Sequence, residues 1–300
     1  MKVTVTGATG RVGRHIVAAL KARGDEVIAL SRDPDKAGEM LGVQAYAWDL
    51  KNEAIPRAAL DQCDAVVHLA GEDVGQRWNK AVKAEIIDSR EKGTRNVVHS
   101  IFDTKPRPRT LVCASASGYY GGERGDTIID EKAAQGNDWL ADVCGRWERQ
   151  METAKIGIRT VMVRTGLVLD AEGGALEKML PPFKAGLGGP IGSGKQYMPW
   201  IHRDDLVGIY LAALDNDQFA GPINASAPEP VTNKQFAKAL GRAVNRPAVA
   251  PVPGFTIKLM YGEMAQIVLG GVRMVPSRAE ELGYTFEHTD LDEALRSTLE

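Results

Sequence analysis

Short apolar and β-branched runs alternate with longer amphipathic segments through the first half of this chain. The runs predict strands at Lys2–Thr6, Glu26–Leu30, Ala45–Trp48, Ala65–Leu69, Thr110–Ala114 and Arg159–Arg164. Helical patterning falls between them at Arg14–Lys21, Asn79–Phe102 and Asn137–Lys155. The strand candidates are almost continuously apolar, as expected of strands covered on both faces. Strand and helix in regular alternation imply right-handed βαβ units, hence an α/β fold with a doubly wound parallel sheet.

The pattern changes after Arg164. Gly173-Gly174 and the glycine-rich stretch Gly186–Gly194 flank Pro181-Pro182, a composition that reads as loop or lid. Helical periodicity returns at Asp204–Leu214, and Gly221–Ser226 reads as a strand that rejoins the first domain. Asn233–Val244 is helical, Pro247–Pro253 is a linker, and further helices are expected at Phe255–Leu269, Ser277–Leu282 and Asp290–Leu299. The expected division is a dinucleotide-binding domain over residues 1–165 with a returning segment near 200–226. Lid and substrate loops would occupy 166–200, and a smaller C-terminal substrate lobe 227–300. A cleft belongs between the lobes, at the carboxyl ends of the strands.

Composition narrows the function classes. With 44% apolar and 25% charged residues the chain is an ordinary globular one, and a net charge of −2 argues against a nucleic-acid partner. No apolar run reaches membrane-spanning length. Three scattered cysteines (Cys63, Cys113, Cys144) form no disulfide framework, and with no signal peptide evident a reducing cytoplasm is the expected location. The five histidines show no His-x-x-x-His spacing, so no metal site is expected.

The first predicted strand ends in Gly7-x-x-Gly10-x-x-Gly13 and opens directly into a helix. In that context Gly7 permits a tight turn, Gly10 lets a pyrophosphate approach the backbone, and Gly13 lets the helix pack closely on the strand. Bare N–H groups and the helix dipole favour phosphate there. Thr6, Gly7, Thr9, Gly10, Arg11, Val12 and Gly13 are accordingly expected around a dinucleotide. The second strand ends in Ser31-Arg32 with no acid at its tip. Guanidinium there suits a 2′-phosphate, which selects NADP(H) over NAD(H). Asp49-Leu50 after the third strand would bracket the adenine. Leu69-Ala70-Gly71-Glu72 after the fourth would lie along the ribose and pyrophosphate.

These features make the chain similar to the extended short-chain dehydrogenase/reductases, the superfamily of the nucleotide-sugar epimerases, with Rossmann-type topology. Tyr120-Gly121 matches that group's Tyr-Gly after the fifth strand. A longer series of motifs narrows the resemblance. Gly71-Glu72, Arg77-Trp78, Ser89-Arg90, Ser115–Gly121, Arg146-Trp147-Glu148, Arg164–Leu169, Gly188–Gln196 and Trp200–Asp205 occur in this order. Together they resemble the atypical sugar-nucleotide epimerase family that ends in a C-terminal domain of unknown function. The resemblance spans essentially the whole chain and implies an NADP-type cofactor without naming a reaction.

The resemblance also exposes a gap. Superfamily members carry a Ser or Thr after the fifth strand and Tyr-x-x-x-Lys on the next helix. Here Ala116 takes the serine position between Ser115 and Ser117, and Cys144-x-x-x-Glu148 stands where Tyr-x-x-x-Lys is expected. Cys144 and Glu148 share one helix face by their spacing. The residues expected to carry chemistry are Ser115, Ser117, Tyr119, Cys144 and Glu148, with Glu148 and Arg164 near the nicotinamide ribose. Arg164 is expected near the site, with a buried ion-pair partner as its alternative, and His202 with Asp204-Asp205 reads first as a helix start. Two readings follow. One is an NADP(H)-dependent epimerase- or oxidoreductase-like enzyme acting on a small polar substrate. The other is a redox-inactive NADP(H)-binding sensor or interaction protein. Either is compatible with a monomer or with a homodimer through the two long helices. Arg32→Ala should weaken NADPH binding by about 1–3 kcal/mol and leave NADH binding unchanged. Parallel titrations check this, and equal losses would remove the 2′-phosphate role.

Overall fold

Strand β1 (Lys2–Thr6) carries Val3 and Val5 through the centre of the molecule, both fully buried. At Gly7 the chain turns with φ +66°, a left-handed conformation that costs glycine nothing. It then enters α1 (Arg11–Ala22), whose buried stripe is Gly13, Ile16, Val17 and Leu20. The computed structural model describes every residue from Met1 to Glu300. β2 (Glu26–Ser31), α2 (Pro34–Leu41), β3 (Gln44–Ala47), the single turn α3 (Arg57–Leu60) and β4 (Ala65–His68) follow. The long α4 (Lys80–Phe102) starts at Asn79, whose side chain accepts the Val82 N–H. β5 (Thr110–Ala116) runs into a 3-10 turn at Ser117–Tyr120. β6 (Glu123–Ile129), α5 (Trp139–Glu152, capped by Asp138) and β7 (Arg159–Thr165) complete this half.

The remaining elements are β8 (Leu167–Leu169), α6 (Gly174–Lys184), β9 (Tyr197–Met198), β10 (Trp200–His202), α7 (Arg203–Asp215) and β11 (Gly221–Ala225). After them come β12 (Val231–Thr232), α8 (Asn233–Ala243), α9 (Gly254–Tyr261), α10 (Ala265–Leu269), β13 (Gly271–Met274), α11 (Ser277–Glu281) and α12 (Leu291–Leu299). Seven parallel strands form the main sheet in the order β11-β7-β5-β4-β1-β2-β3. One face packs on α1 and α7 through Ile16, Leu20, Ile209 and Tyr210. The other packs on α4 and α5 through Ile101, Trp147 and Met151. The chain moves outward from β1 to β3, then crosses back to β4 on the other side of β1. That reversal opens a crevice above the carboxyl ends of β1 and β4. No helix is long and apolar enough to cross a membrane.

Four departures from the sequence pattern have a clear physical reason. The segment expected to be loop around Pro181-Pro182 is largely the helix α6. Each proline removes one backbone donor. Leu176, Leu180 and Phe183, at i, i+4 and i+7, bury one side of α6 in the C-terminal core and hold it together. The parallel pair of β6 with β13 has no counterpart in the pattern, because β6 is mostly exposed and polar and its partner comes from the far end of the chain. α2 also lacks a signal, having only Ala37 and Leu41 to bury. The long helix expected at Phe255–Leu269 breaks at Gly262, where φ is +61°.

Gly13 is the most constrained of the motif glycines. A Cβ there would stand 2.2 Å from the Gly7 carbonyl oxygen and 2.9 Å from Ala8 Cα, both backbone atoms. Gly13→Ala should therefore destabilise the protein by about 1–3 kcal/mol. A thermal or urea unfolding curve identical to wild type would contradict this packing.

Candidate functional site

The crevice has a phosphate-shaped cradle at one side. Gly10 caps α1 with extended backbone and no side-chain hydrogen bond, and no acid sits in the first turn. The N–H groups of Arg11, Val12 and Gly13 find no acceptor in the protein. A Cβ on Gly7 would meet Ala70 N at 2.9 Å, so the glycine turn closes directly on the chain leaving β4. Thr9 and Arg11 are exposed beside it, while Val12 packs on the core. Arg11 lies 3.8 Å from Asp73, and Gly173 at the start of α6 packs against the Arg11 side chain. The segment expected as a lid thus adjoins the cradle.

Thr6 is spent on holding this cradle in shape. Its Oγ1 accepts the N–H groups of Leu69 and Ala70, each at 3.2 Å, which leaves its hydroxyl proton for His68 Nδ1 at 2.7 Å. His68 Nε2–H then donates to Thr94 Oγ1 at 3.0 Å, which also accepts the Trp147 indole N–H at 2.9 Å. His68 is wholly buried, and burial together with the charge of Arg90 pushes its pKa down to about 3. It is therefore a neutral ring with a fixed tautomer. Glu72 is tied down by its N–H to Ser89 Oγ at 3.0 Å.

At the adenine side, Ser31 Oγ accepts the Asp33 N–H at 3.2 Å. Arg32, at the tip of β2, is exposed and takes part in no hydrogen bond or ion pair. Asp49 lies in the turn after β3, where its carboxylate accepts Lys51 N–H and Asn52 Nδ2–H. Leu50 turns inward, against Gly93 of α4.

The second half of the site is built around Arg164. Its Nε and Nη2 donate to Glu148 Oε1 and Oε2 at 2.8 and 2.7 Å, a bidentate pair with both side chains buried. Ser115 donates to the same Oε1 at 2.6 Å. Arg164 Nη1 donates to Tyr120 OH at 2.8 Å, and Tyr120 donates to Asn224 Oδ1 at 2.6 Å. Asn224 Nδ2 reaches the Val275 carbonyl, and its N–H reaches Glu131. Burial opposes the Arg164 charge, but the bonds and charge of Glu148, with Tyr120, more than offset it and hold its pKa above the ordinary value. Burial likewise raises the Tyr120 phenol. Arg164 also lies over the Tyr119 ring, 3.6 Å from its centroid.

Cys144 and Glu148 do share a face of α5, but they serve different levels. Leu140 and Cys144 abut Gly118, where an added Cβ would stand 2.7 Å from Leu140 Cδ2 and 3.5 Å from Cys144 Sγ. Glu148, one turn deeper, meets Ser115 and Arg164. Cys144 is fully enclosed, and burial pushes its thiol up to about 12, so it is neutral near pH 7. Ser117 keeps a hydroxyl with no protein partner on the turn above it. Tyr119 lines a small cavity of about 100 Å³ with Glu148, Arg149, Glu152 and Arg164, on the flank of α5.

Tertiary structure gathers residues that spacing kept apart. His202 and His288 stack with centroids 3.6 Å apart and planes 32° apart, near Asp204. His202 Nδ1 accepts the Asp204 N–H at 3.2 Å, which caps α7. A wide depression of about 860 Å³, lined by Arg107, Arg109, Lys155 and Arg159 among others, lies at the amino ends of β5 and β7, the edge opposite the crevice.

Removing one partner of the buried pair should expose its dependence. Arg164→Met should cost about 3–5 kcal/mol because it strands a buried carboxylate. Adding Glu148→Met should recover much of that loss in urea unfolding. Losses that simply add would show that the two do not act as a unit.

Comparison with known proteins agrees with this architecture. Residues 3–225 match the NAD dependent epimerase/dehydratase family, and residues 252–298 match the domain of unknown function DUF1731. The chain is 39% identical to the chloroplastic epimerase family protein SDR39U1 homolog of Arabidopsis thaliana, over 100% of this chain and 87% of that protein. It is 36% identical to the epimerase family protein YfhF of Bacillus subtilis, over 98% and 97%. The crystal structure of human epimerase family protein SDR39U1 with NADPH superposes with a TM-score of 0.89 at 34% identity, covering 99% of each chain. The chain therefore belongs to the NAD dependent epimerase/dehydratase family, in the branch that carries the DUF1731 domain at its C-terminus.

Proposed function

We propose that this protein binds NADPH in the crevice and acts as an NADP(H)-dependent oxidoreductase or epimerase on a small polar substrate. The observation that carries the reading is the row of three unpartnered N–H groups at the α1 N-terminus, with unpaired Arg32 at the tip of β2. The pyrophosphate would take the three N–H groups, and Arg32 the 2′-phosphate. The NADPH in the human relative's structure supports the same reading. Bound NADPH supplies a hydride to a carbonyl-like carbon. Ser117 is the hydroxyl free to hydrogen-bond the substrate oxygen, since Ser115 is committed to Glu148. Cys144 keeps its proton near pH 7 but is enclosed beneath that turn, so the proton that completes the alcohol comes from water reaching the crevice. Glu148 and Arg164 hold the serine-bearing turn in place.

One observation favours the redox-inactive reading. The face of α5 toward the serine turn offers Leu140 and Cys144 and no phenol or ammonium group. The two readings separate in one experiment. Nicotinamide fluorescence should show NADPH binding tighter than NADH, lost in Gly10→Val. NADPH should then be consumed with a panel of small carbonyl compounds, with turnover reduced at least about tenfold in Ser117→Ala. Binding without turnover on any compound would favour the sensor reading. No binding of either nucleotide would remove both.

A further inference from the structure

Ser89-Arg90 on α4 has no part in the chemistry above. Both side chains grip the chain leaving β4. Ser89 accepts the Glu72 N–H, and Arg90 Nη1 donates to the carbonyls of Glu72 and Ile86 at 3.0 and 3.2 Å. The guanidinium lies over the Trp147 ring, 4.8 Å from its centroid, and a Cβ on Gly71 would come within 3.7 Å of Cζ and Nη1. Arg90 is thus wedged between an aromatic face and bare glycine backbone at the mouth of the crevice. Its hydrogen-bond partners in the protein are carbonyl oxygens only; the Asp73 and Glu72 carboxylates lie near its charge without forming an ion pair with it. Nε and Nη2 have no protein acceptor, and neither is sealed from solvent.

Position within the sheet says what this charge faces. β4 and β5 lie on the other side of β1 from β2, whose tip carries Arg32. A dinucleotide anchored by phosphates at Arg32 and α1 has its second nucleoside on the β4 side. We propose that Arg90 binds the nicotinamide-ribose half of NADPH, donating from Nε and Nη2 to its hydroxyl oxygens. It supplies there the fixed positive charge that the absent Tyr-x-x-x-Lys lysine would otherwise supply. Trp147 and Gly71 set the plane of the guanidinium, and the two carbonyl bonds fix its reach. This inference rests on the NADPH reading.

The test compares two nucleotides by calorimetric titration: NADPH, and adenosine 2′,5′-bisphosphate, which has the 2′-phosphate end but no nicotinamide. Arg90→Met keeps an apolar chain on Trp147 and should weaken NADPH roughly 10- to 100-fold, while the bisphosphate binds within about twofold of wild type. Arg90→Lys should recover part of the NADPH loss. Ser89→Ala loosens the same loop without removing charge and should weaken NADPH far less than Arg90→Met does. Unchanged NADPH binding in Arg90→Met overturns the inference. So does equal loss of both nucleotides, or an equal NADPH loss in Ser89→Ala, since either would mean that Arg90 only shapes the loop. If Arg90→Met unfolds, the ratio of the two nucleotides in Arg90→Lys decides, and no change in that ratio overturns it. Failure of the wild-type protein itself to bind NADPH would instead refute the cofactor reading.

Discussion

A guanidinium and a carboxylate buried together above the sheet set the form of this site. Neither Arg164 nor Glu148 is tolerable there alone, because removing water from one unpaired charge costs several kcal/mol. Paired in bidentate geometry, they bring three elements into register: β7 supplies the arginine, α5 the glutamate, and β5 the serine that shares its oxygen. Tyr120 and Asn224 extend the network to β11 and to the Val275 carbonyl beyond β13. The C-terminal portion of the chain is thereby joined to the main sheet by polar contacts whose every partner is specified.

A second network does the same for the cofactor cradle. Thr6, His68, Thr94 and Trp147 link β1, β4, α4 and α5 in one line of hydrogen bonds. Its direction follows from Thr6 already accepting two backbone N–H groups, which leaves only its proton to give. A histidine held neutral by burial can take that proton, whereas a charged ring could not accept from Thr6. The glycine turn and the β4 exit are therefore held in place by the protein's own hydrogen bonds.

The chemistry of the site differs from the superfamily's usual relay for a local reason. The α5 positions that look onto the serine turn hold Leu140 and Cys144, and the acid that follows them is engaged below. Burial keeps the thiol protonated, which removes a thiolate nucleophile from consideration near neutral pH. What the crevice retains is a free serine hydroxyl and a guanidinium that forms no ion pair. Such a set holds and polarises oxygen more readily than it shuttles protons.

The parallel sheet and the glycine cradle are legible along the chain because their signals are local. Apolar runs mark strands buried on both faces, and a Cβ on Gly10 or Gly13 would crowd the Gly7 carbonyl only a few residues away, whereas Gly7 itself abuts Leu69 and Ala70 at the exit of β4. The position of Ser31 and Arg32 at the end of β2 is legible in the same way. The pairing of Glu148 with Arg164 is not, since spacing shows only that Cys144 and Glu148 share a face and not which level of the helix meets the crevice. His68 reads as one more strand residue, though a polar side chain in an apolar run is a signal, as is Asn224 in its own strand. α6 is concealed because its prolines are visible in sequence, whereas the core that outweighs them comes from α8 and α12. The sequence by itself determined where the chain must bend, pair and leave room for a phosphate. Tertiary structure alone decided which charges are neutralised, because that depends on partners brought together across the sheet.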